Sequence, residues 1–275
     1  VLDHGVYFDV GDGRMIFAIP RANWTYFGTT DTNYVGPLEH PAVTAADADY
    51  LIGAVNRMFP KAGLAASMIE SSWAGIRPLI HEDGKSPTQL SRKDELFFSE
   101  SGLITIAGGK LTGFRKMAEK VVDVVSKRLG GHGKQAWGKC KTHKITLSGY
   151  DFFSSNVEEG FSHRIALQTM IKLEEVEWMV SLFGSNTWAI VHLAGGIDRI
   201  SILKGTVRYC IRHEGVTTLS DFFVRRTAML YFGRNWITAC LETTRAIFAE
   251  EFGTDYDPDP GGVFATEYRQ AVTFE

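Results

Sequence analysis

Apolar and polar residues alternate along the start of the chain. Val6, Phe8 and Val10 alternate with Tyr7 and Asp9, and Met15-Ile16-Phe17-Ala18-Ile19 follows after Gly11-Asp12-Gly13. A two-residue period broken by a short glycine-containing loop predicts a β-hairpin. Pro20 is expected to end its second strand, and Trp24 to Thr30 reads as a third, which makes residues 1–35 an antiparallel meander. The period then lengthens. Thr44 can cap a helix with Asp47 three residues on, and Leu51, Ile52, Val55 and Met58 recur at helical spacing. Phe59-Pro60 is expected to end that helix.

The stretch from Leu103 to Leu129 combines both periods. Leu103 to Ala107 is a short apolar run of the kind found in a fully buried strand, and Gly108-Gly109 follows as a tight turn. Phe114, Met117, Ala118, Val121, Val122, Val125 and Leu129 then form one helical face. The unit is therefore strand, glycine turn, helix. Residues 130–144 are rich in Gly and Lys and show no period, as expected of a linker or, alternatively, a basic patch.

Beyond about residue 156 the pattern is helical. Helices are expected around 157–171, 174–183, 186–194, 202–213 and 218–230. A longer one is expected over 235–252, with Trp236, Ala239, Cys240, Thr243, Ile247 and Phe248 on one face, and a last one over 263–273. The expected fold class is α+β, an antiparallel sheet with a strand–Gly-Gly–helix unit followed by an all-helical region. The expected division is a first domain over 1–130, a linker over 131–144 and a helical domain over 145–275.

Composition narrows the class of protein. With 275 residues, 44% hydrophobic and 22% charged, the chain can bury a core without staples. A net charge of −3 gives no general attraction to nucleic acid or anionic lipid, so any anion site is local. Cys140, Cys210 and Cys240 are odd in number and widely spaced, which favours free thiols in a reducing compartment. Cys140 and His143 alone do not make a zinc site. No run reaches the length of a spanning helix. The opening Val1-Leu2-Asp3-His4 reads as a cut inside a longer polypeptide.

The glycine turn carries the first candidate chemistry. A helix start presents unpaired N–H groups and partial positive charge, and glycines let a ligand approach the backbone. Lys110 adds a cation there and Thr112 a hydroxyl. Such a site suits a phosphate or the pyrimidine end of a reduced flavin. A turn that only packs helix against sheet explains the same residues. Arg77, within Trp73-Ala74-Gly75-Ile76-Arg77-Pro78-Leu79, has apolar neighbours and needs an anionic partner, either a substrate or an internal carboxylate. Arg92, within Leu90-Ser91-Arg92-Lys93-Asp94-Glu95, reads alone as a surface charge. Thr29-Thr30-Asp31-Thr32 suits ligand positioning or ordinary turn capping equally.

The strings GRMIFAIPR, YFGTTDTNY, SSWAGIRPLI, LSRKDEL and SGLITIAGGKLTGFRKMAEKVVD occur here in order, and TLSDFFVRRT spans Thr218 to Thr227. In these the chain resembles the bacterial FAD-dependent glycerol-3-phosphate dehydrogenases, closely over residues 1–130 and more loosely beyond. The resemblance implies part of a glutathione-reductase-type FAD and substrate domain followed by a helical domain. That family's GxGxxG motif near the true N-terminus has no counterpart opening a βαβ unit here. Neither have its N-terminal substrate-binding histidine, arginine and tyrosine.

Residue by residue, the resemblance implies that Arg77 lies beside the substrate and Arg92 binds its phosphate. It implies that Lys110 reaches both flavin and substrate, and that Gly108, Gly109, Leu111 and Thr112 contact the flavin ring. It further implies FAD as cofactor, glycerol 3-phosphate as substrate, and a quinone or another electron acceptor. The expected location is the cytoplasm, with a peripheral contact on the inner face of the cell membrane. No nucleic-acid partner is expected, and a homodimer is a candidate assembly. Two rival readings stand beside this one. A glycerol-3-phosphate oxidase would pass electrons to oxygen; some oxidases carry a long insertion between the RPL and SR segments, whereas Arg77 to Arg92 is here 92 − 77 = 15 positions. A helical partner-binding module without chemistry of its own is the other.

Overall fold

The structure is a computed structural model that describes residues 2–21, 23–76, 94–108, 110–130, 137–150 and 160–274. It forms two compact units. One comprises Val1–Thr30, Ala42–Ala74 and Leu147–Glu275, and the other Asp31–Pro41 and Gly75–Thr146.

The first unit opens with the expected meander. Strands β1 (Val6–Asp9), β2 (Met15–Arg21) and β3 (Trp24–Gly28) lie in the order β1-β2-β3. In the antiparallel β1–β2 register Phe8 faces Ile16 and Val6 faces Ala18. Alternation puts Phe8, Ile16 and Ala18 on one face, where they are buried with Ala54 and Val55 of helix α1 (Ala45–Met58). Gly11 and Gly13 both take positive φ in the hairpin, which only glycine adopts freely. Pro20 does not end β2. It pairs with Thr25, and pairing runs on to Arg21↔Trp24. Beyond Ala18, the last residue paired with β1, β2 has a partner on one side only, and an edge position of that kind tolerates proline.

Helix α1 starts at the expected capping box. The Thr44 hydroxyl accepts the Asp47 N–H at 3.2 Å, and the Asp47 carboxylate accepts the Thr44 N–H at 3.1 Å. Phe59 caps its end, but Met58 is exposed rather than in the core.

In the second unit, β4 (Glu95–Phe98) and β5 (Ile104–Ala107) form an antiparallel pair, and helix α2 (Phe114–Gly130) follows. The expectation of a fully buried strand fails: no residue of β5 is fully buried, and Leu103 is exposed. The amphipathic helix is present, yet none of its described side chains is buried. Phe114, Val122 and Leu129 are 64%, 59% and 71% exposed.

The helical region belongs to the first unit. It contains α3 (Phe161–Thr169), α4 (Leu173–Phe183), α5 (Thr187–Ala194) and α6 (Arg199–Glu214). After these come α7 (Met229–Phe232), α8 (Arg234–Phe252) and α9 (Val263–Gln270). Helices α5 and α6 approach closely at Gly205, where a Cβ would lie 2.5 Å from the Ile190 carbonyl oxygen. Asp198 caps α6 by accepting the N–H groups of Ile200 and Ser201. The helix expected over 218–230 is instead a π-helical turn, Asp221–Arg226, and then the short α7, with Ala228 at φ 52° between them. Thr227 N–H and its hydroxyl both donate to the Phe222 carbonyl five residues back. On α8, Ile237 and Thr244 join Cys240, Ile247 and Phe248 in the core, while Ala239 is exposed.

Candidate functional site

Residues Ile104 to Leu129 form the strand–turn–helix that the sequence predicts. At its centre Gly108 has no room for a side chain. An added Cβ would lie 2.8 Å from the Met117 methyl carbon and 3.2 Å from the Asp94 Cα, so the turn is pressed between β4's approach and α2. Gly109 lies outside the described residues. Lys110 is extended at φ −98°, ψ 109°, and its carbonyl accepts the Gly113 N–H as Leu111–Gly113 winds into a 3-10 turn ahead of α2.

The helix start has three properties. No side chain caps it, neither of its first turns holds an acidic residue, and Lys110, Leu111 and Thr112 are all exposed. Leu111 is 89% exposed. The nearby carboxylate, Asp94, is ion-paired with Lys120 on α2. The hydrogen bond from Lys120 is the main cause that holds the Asp94 carboxyl below its usual range, with a smaller contribution from the Lys110 charge. Positive partial charge from the helix start and the Lys110 ammonium therefore face outward together, the arrangement an anionic group requires.

Further along α2, Glu119 holds Arg115 at 3.0 Å and Lys116 at 2.9 Å. A shallow hollow of about 590 Å³ lies beside them, lined by Arg115, Lys116, Glu119, Asp123, Lys139, Cys140 and His143. It shares no lining residue with the glycine turn. Among the described residues no group of three His, Cys, Asp or Glu side chains could hold a metal ion. All three cysteines are free; burial raises the thiol pKa of Cys210, and that of Cys240 to about 11, which makes both poor nucleophiles.

Arg77 and Arg92 lie outside the described residues. The residues leading to Arg77 do not. Ser71 donates its hydroxyl to the Tyr231 carbonyl at 2.8 Å, and Ser72 donates its N–H to the Ala271 carbonyl at 2.7 Å and its hydroxyl to the same oxygen at 3.1 Å. Trp73 packs on Tyr231 with ring centres 4.7 Å apart. Sequence reasoning passed over these two serines, because nothing local marks a donor whose acceptor lies 160 or 199 positions away.

At the end of β3, Thr30 is a structural residue. Its carbonyl accepts from Arg14 Nη1 at 3.2 Å, and its hydroxyl donates to Asp47. Asp31 follows at φ 54°. Internal hydrogen bonds to Arg14 and Asp47 therefore account for Thr30, whereas Asp31 adopts a conformation that L residues rarely take.

Residues 2–115 match the FAD dependent oxidoreductase family, and residues 140–258 match the C-terminal domain of alpha-glycerophosphate oxidase. The aerobic glycerol-3-phosphate dehydrogenase of Bacillus subtilis is 42% identical over 276 residues, covering 92% of this chain and 48% of that protein. The Staphylococcus aureus protein of the same name is 40% identical over 281 residues, covering 98% of this chain and 50% of that protein. The crystal structure of glycerol-3-phosphate dehydrogenase from Bacillus halodurans complexed with FAD superposes with a TM-score of 0.83 at 40% identity. That match covers 99% of this chain and 54% of that one. The chain thus spans about half the length of the curated relatives it matches. The two family matches lie in order along the chain, and at 40–42% identity across nearly all its residues the chain is similar to about half of each of these aerobic glycerol-3-phosphate dehydrogenases.

Proposed function

We propose that the protein carrying this chain oxidises sn-glycerol 3-phosphate at C2 to dihydroxyacetone phosphate, with this chain supplying part of the active site. The named relatives support the reaction, and the uncapped, acid-free helix start behind Gly108 and Lys110 supports the cofactor. Its exposed Leu111 and outward cation fit a flat, partly apolar ring that gains negative charge. When bound, FAD supplies the two-electron acceptor for the hydride that leaves C2.

The chain's own residues divide the remaining work. Lys110, with the backbone at Gly108, Gly109, Leu111 and Thr112, holds the pyrimidine end of the flavin and stabilises charge there. Arg77 stabilises the oxyanion that develops at the C2 oxygen. Arg92 holds the substrate phosphate, for which a planar fork of donors is suited. Arginine is too basic to take the C2 hydroxyl proton, so the base is another group. The electrons pass on to a quinone, which places the protein in the cytoplasm against the inner face of the membrane. Among the described residues no helix is long and apolar enough to cross it. On this reading residues 1–130 complete an FAD and substrate domain, 131–144 link it to the helical domain of 145–275, and two copies form a dimer.

The test is a flavin spectrum and steady-state kinetics on a protein that joins this chain to an amino-terminal half such as its relatives carry. Bleaching of a yellow protein by glycerol 3-phosphate, with reduction of a quinone analogue and little peroxide, is the expected result. Peroxide formed in step with substrate use would move the assignment to the oxidase.

A further inference from the structure

Asp94 stands between two cations, and only one of them holds it. The β4–β5 register pairs Glu95 with Ala107, which brings Asp94 opposite Gly108. The approach is close, since a Cβ on Gly108 would lie 3.0 Å from the Asp94 Cβ. The Asp94 side chain therefore leaves the backbone beside the turn that leads to Lys110. Its carboxylate accepts from the Lys120 ammonium, and among the described residues no ion pair joins it to Lys110. Lys120 sits 120 − 114 = 6 positions past the first residue of α2, about 9 Å along the axis from the helix start. Among the described residues, Lys120 and Lys110 are the cations whose charges act on Asp94. The next carboxylate along α2, Glu119, is already taken by Arg115 and Lys116.

We infer that Lys120 is a positioning residue for the flavin site: by holding the Asp94 carboxylate along α2, it leaves the charge of Lys110 uncompensated at the helix start. The inference rests on the proposed role of Lys110 at the flavin. An anion beside a helix start cancels the partial positive charge there, and it cancels a neighbouring ammonium as well. With Lys120 gone, the cation that still acts on the carboxylate is Lys110, and the side chain turns to it. A ring that gains negative charge at this place is then stabilised less. The turn itself does not depend on the ion pair alone. Met117 packs on both sides of it, with Cε 2.8 Å from a Cβ on Gly108 and Sδ 3.9 Å from a Cβ on Gly113. Breaking the pair therefore redirects a charge while packing keeps the turn in place.

The experiment uses the chain joined to a relative's amino-terminal half and loaded with FAD, and reads the flavin reduction potential by redox titration. The parent, Lys120→Met, Asp94→Asn and the double variant form a cycle whose coupling is the quantity of interest. Lys120→Met alone should lower the potential and slow flavin reduction by glycerol 3-phosphate roughly two- to fivefold. The same substitution on top of Asp94→Asn should change the potential far less, because no carboxylate is left to turn to Lys110. Lys120→Arg keeps the pair and should hold the parent potential. Equal shifts from Lys120→Met in both backgrounds overturn the inference, since that is what the bare loss of a distant positive charge predicts. Equal losses from Lys120→Met and from Asp94→Asn overturn it too, since that is what a mere strap between the turn and α2 predicts. If Lys120→Met does not fold, Lys120→Gln is read in the same way. Lys110→Met is measured in parallel. If it lowers the potential while the cycle is additive, positioning fails and the role of Lys110 stands. If Lys110→Met itself leaves the potential unchanged, both fall.

Discussion

The indole N–H of Trp24 donates to the carbonyl of Phe232 at 3.0 Å, across 208 positions of sequence. One residue sits on the edge strand β3 and the other ends α7, so a single bond ties the meander to the helical region. Trp24→Phe keeps an aromatic ring and removes only the donor. A helix-end carbonyl left partly buried without its partner should cost about 1–3 kcal/mol. The check is a denaturant titration of the chain, with an unchanged slope and a lower midpoint expected. A midpoint equal to that of the parent would show that solvent replaces the indole at no cost.

The hairpin at the other end of the meander gives a pH-dependent prediction. Arg14 and Asp12 form a 2.6 Å ion pair, the Tyr50 hydroxyl donates to the same carboxylate, and the guanidinium lies 3.9 Å from the Tyr50 ring centre. The hydrogen bond from Arg14 is the largest cause that lowers the Asp12 pKa to about 2. The folded value lies below the unfolded one of about 3.9, so the contribution to stability is present above about pH 4 and is lost as pH falls towards about 2. Arg14→Met removes the cause. Melting curves taken across that range should fall less steeply for the variant than for the parent, and parallel curves would assign the acid sensitivity to other carboxylates.

What the sequence reveals of these features follows from range. The capping box at Thr44 and Asp47 is legible because both bonds lie within three residues. The alternation of Phe8, Ile16 and Ala18 is legible because one buried face imposes it. Pro20 misleads, since a proline stops a strand only where its missing N–H faces a partner, and pairing is not local information. The face of α2 misleads differently. Its periodicity shows that a face exists, but not what covers it, and among the described residues Phe114, Val122 and Leu129 stay exposed. The π-helical turn at Asp221–Arg226 has the apolar spacing of an ordinary helix, and the bonds from Thr227 to the Phe222 carbonyl that define it leave no sequence period. Of the candidate site, the Gly108 turn and the start of α2 were readable from glycines and spacing. The anchoring of Ser71 and Ser72 was not, because its acceptors are backbone atoms of remote helix ends.

Arg92 is predicted to act on substrate affinity through the phosphate. Its assignment comes from the LSR segment, and Asp94, two residues on, is turned to Lys120. In a protein completed with a relative's amino-terminal half, Arg92→Ala should cost about 1.5–3 kcal/mol in binding, roughly ten- to a hundredfold in KM. Oxidation of unphosphorylated glycerol should change little. Equal losses on both substrates would mean that Arg92 supports the fold instead.

Lys110 offers the most direct test of the flavin site. It stands at the start of a helix whose N–H groups already favour an anion, with no side-chain cap and no acidic residue in the first turn. Asp94, a carboxylate among the described residues that feels its charge, is ion-paired with Lys120, so that carboxylate offsets little of the positive field at the turn. A cation in this place stabilises a ring carrying negative charge more than a neutral one, and only the reduced flavin is negative. Lys110→Met in the completed, flavin-loaded protein should therefore lower the flavin reduction potential and slow its reduction by glycerol 3-phosphate. Methionine keeps most of the side-chain length, and Lys110 is exposed, so packing should change little. The effect should shrink as salt is added if the site stays open to solvent, and persist if the bound ring excludes water. A spectroscopic redox titration with rapid-mixing reduction measures both quantities. An unchanged potential together with an unchanged rate would return Lys110 to the role of a solvated residue leading into α2, and the anion preference of the site would then rest on the helix backbone alone.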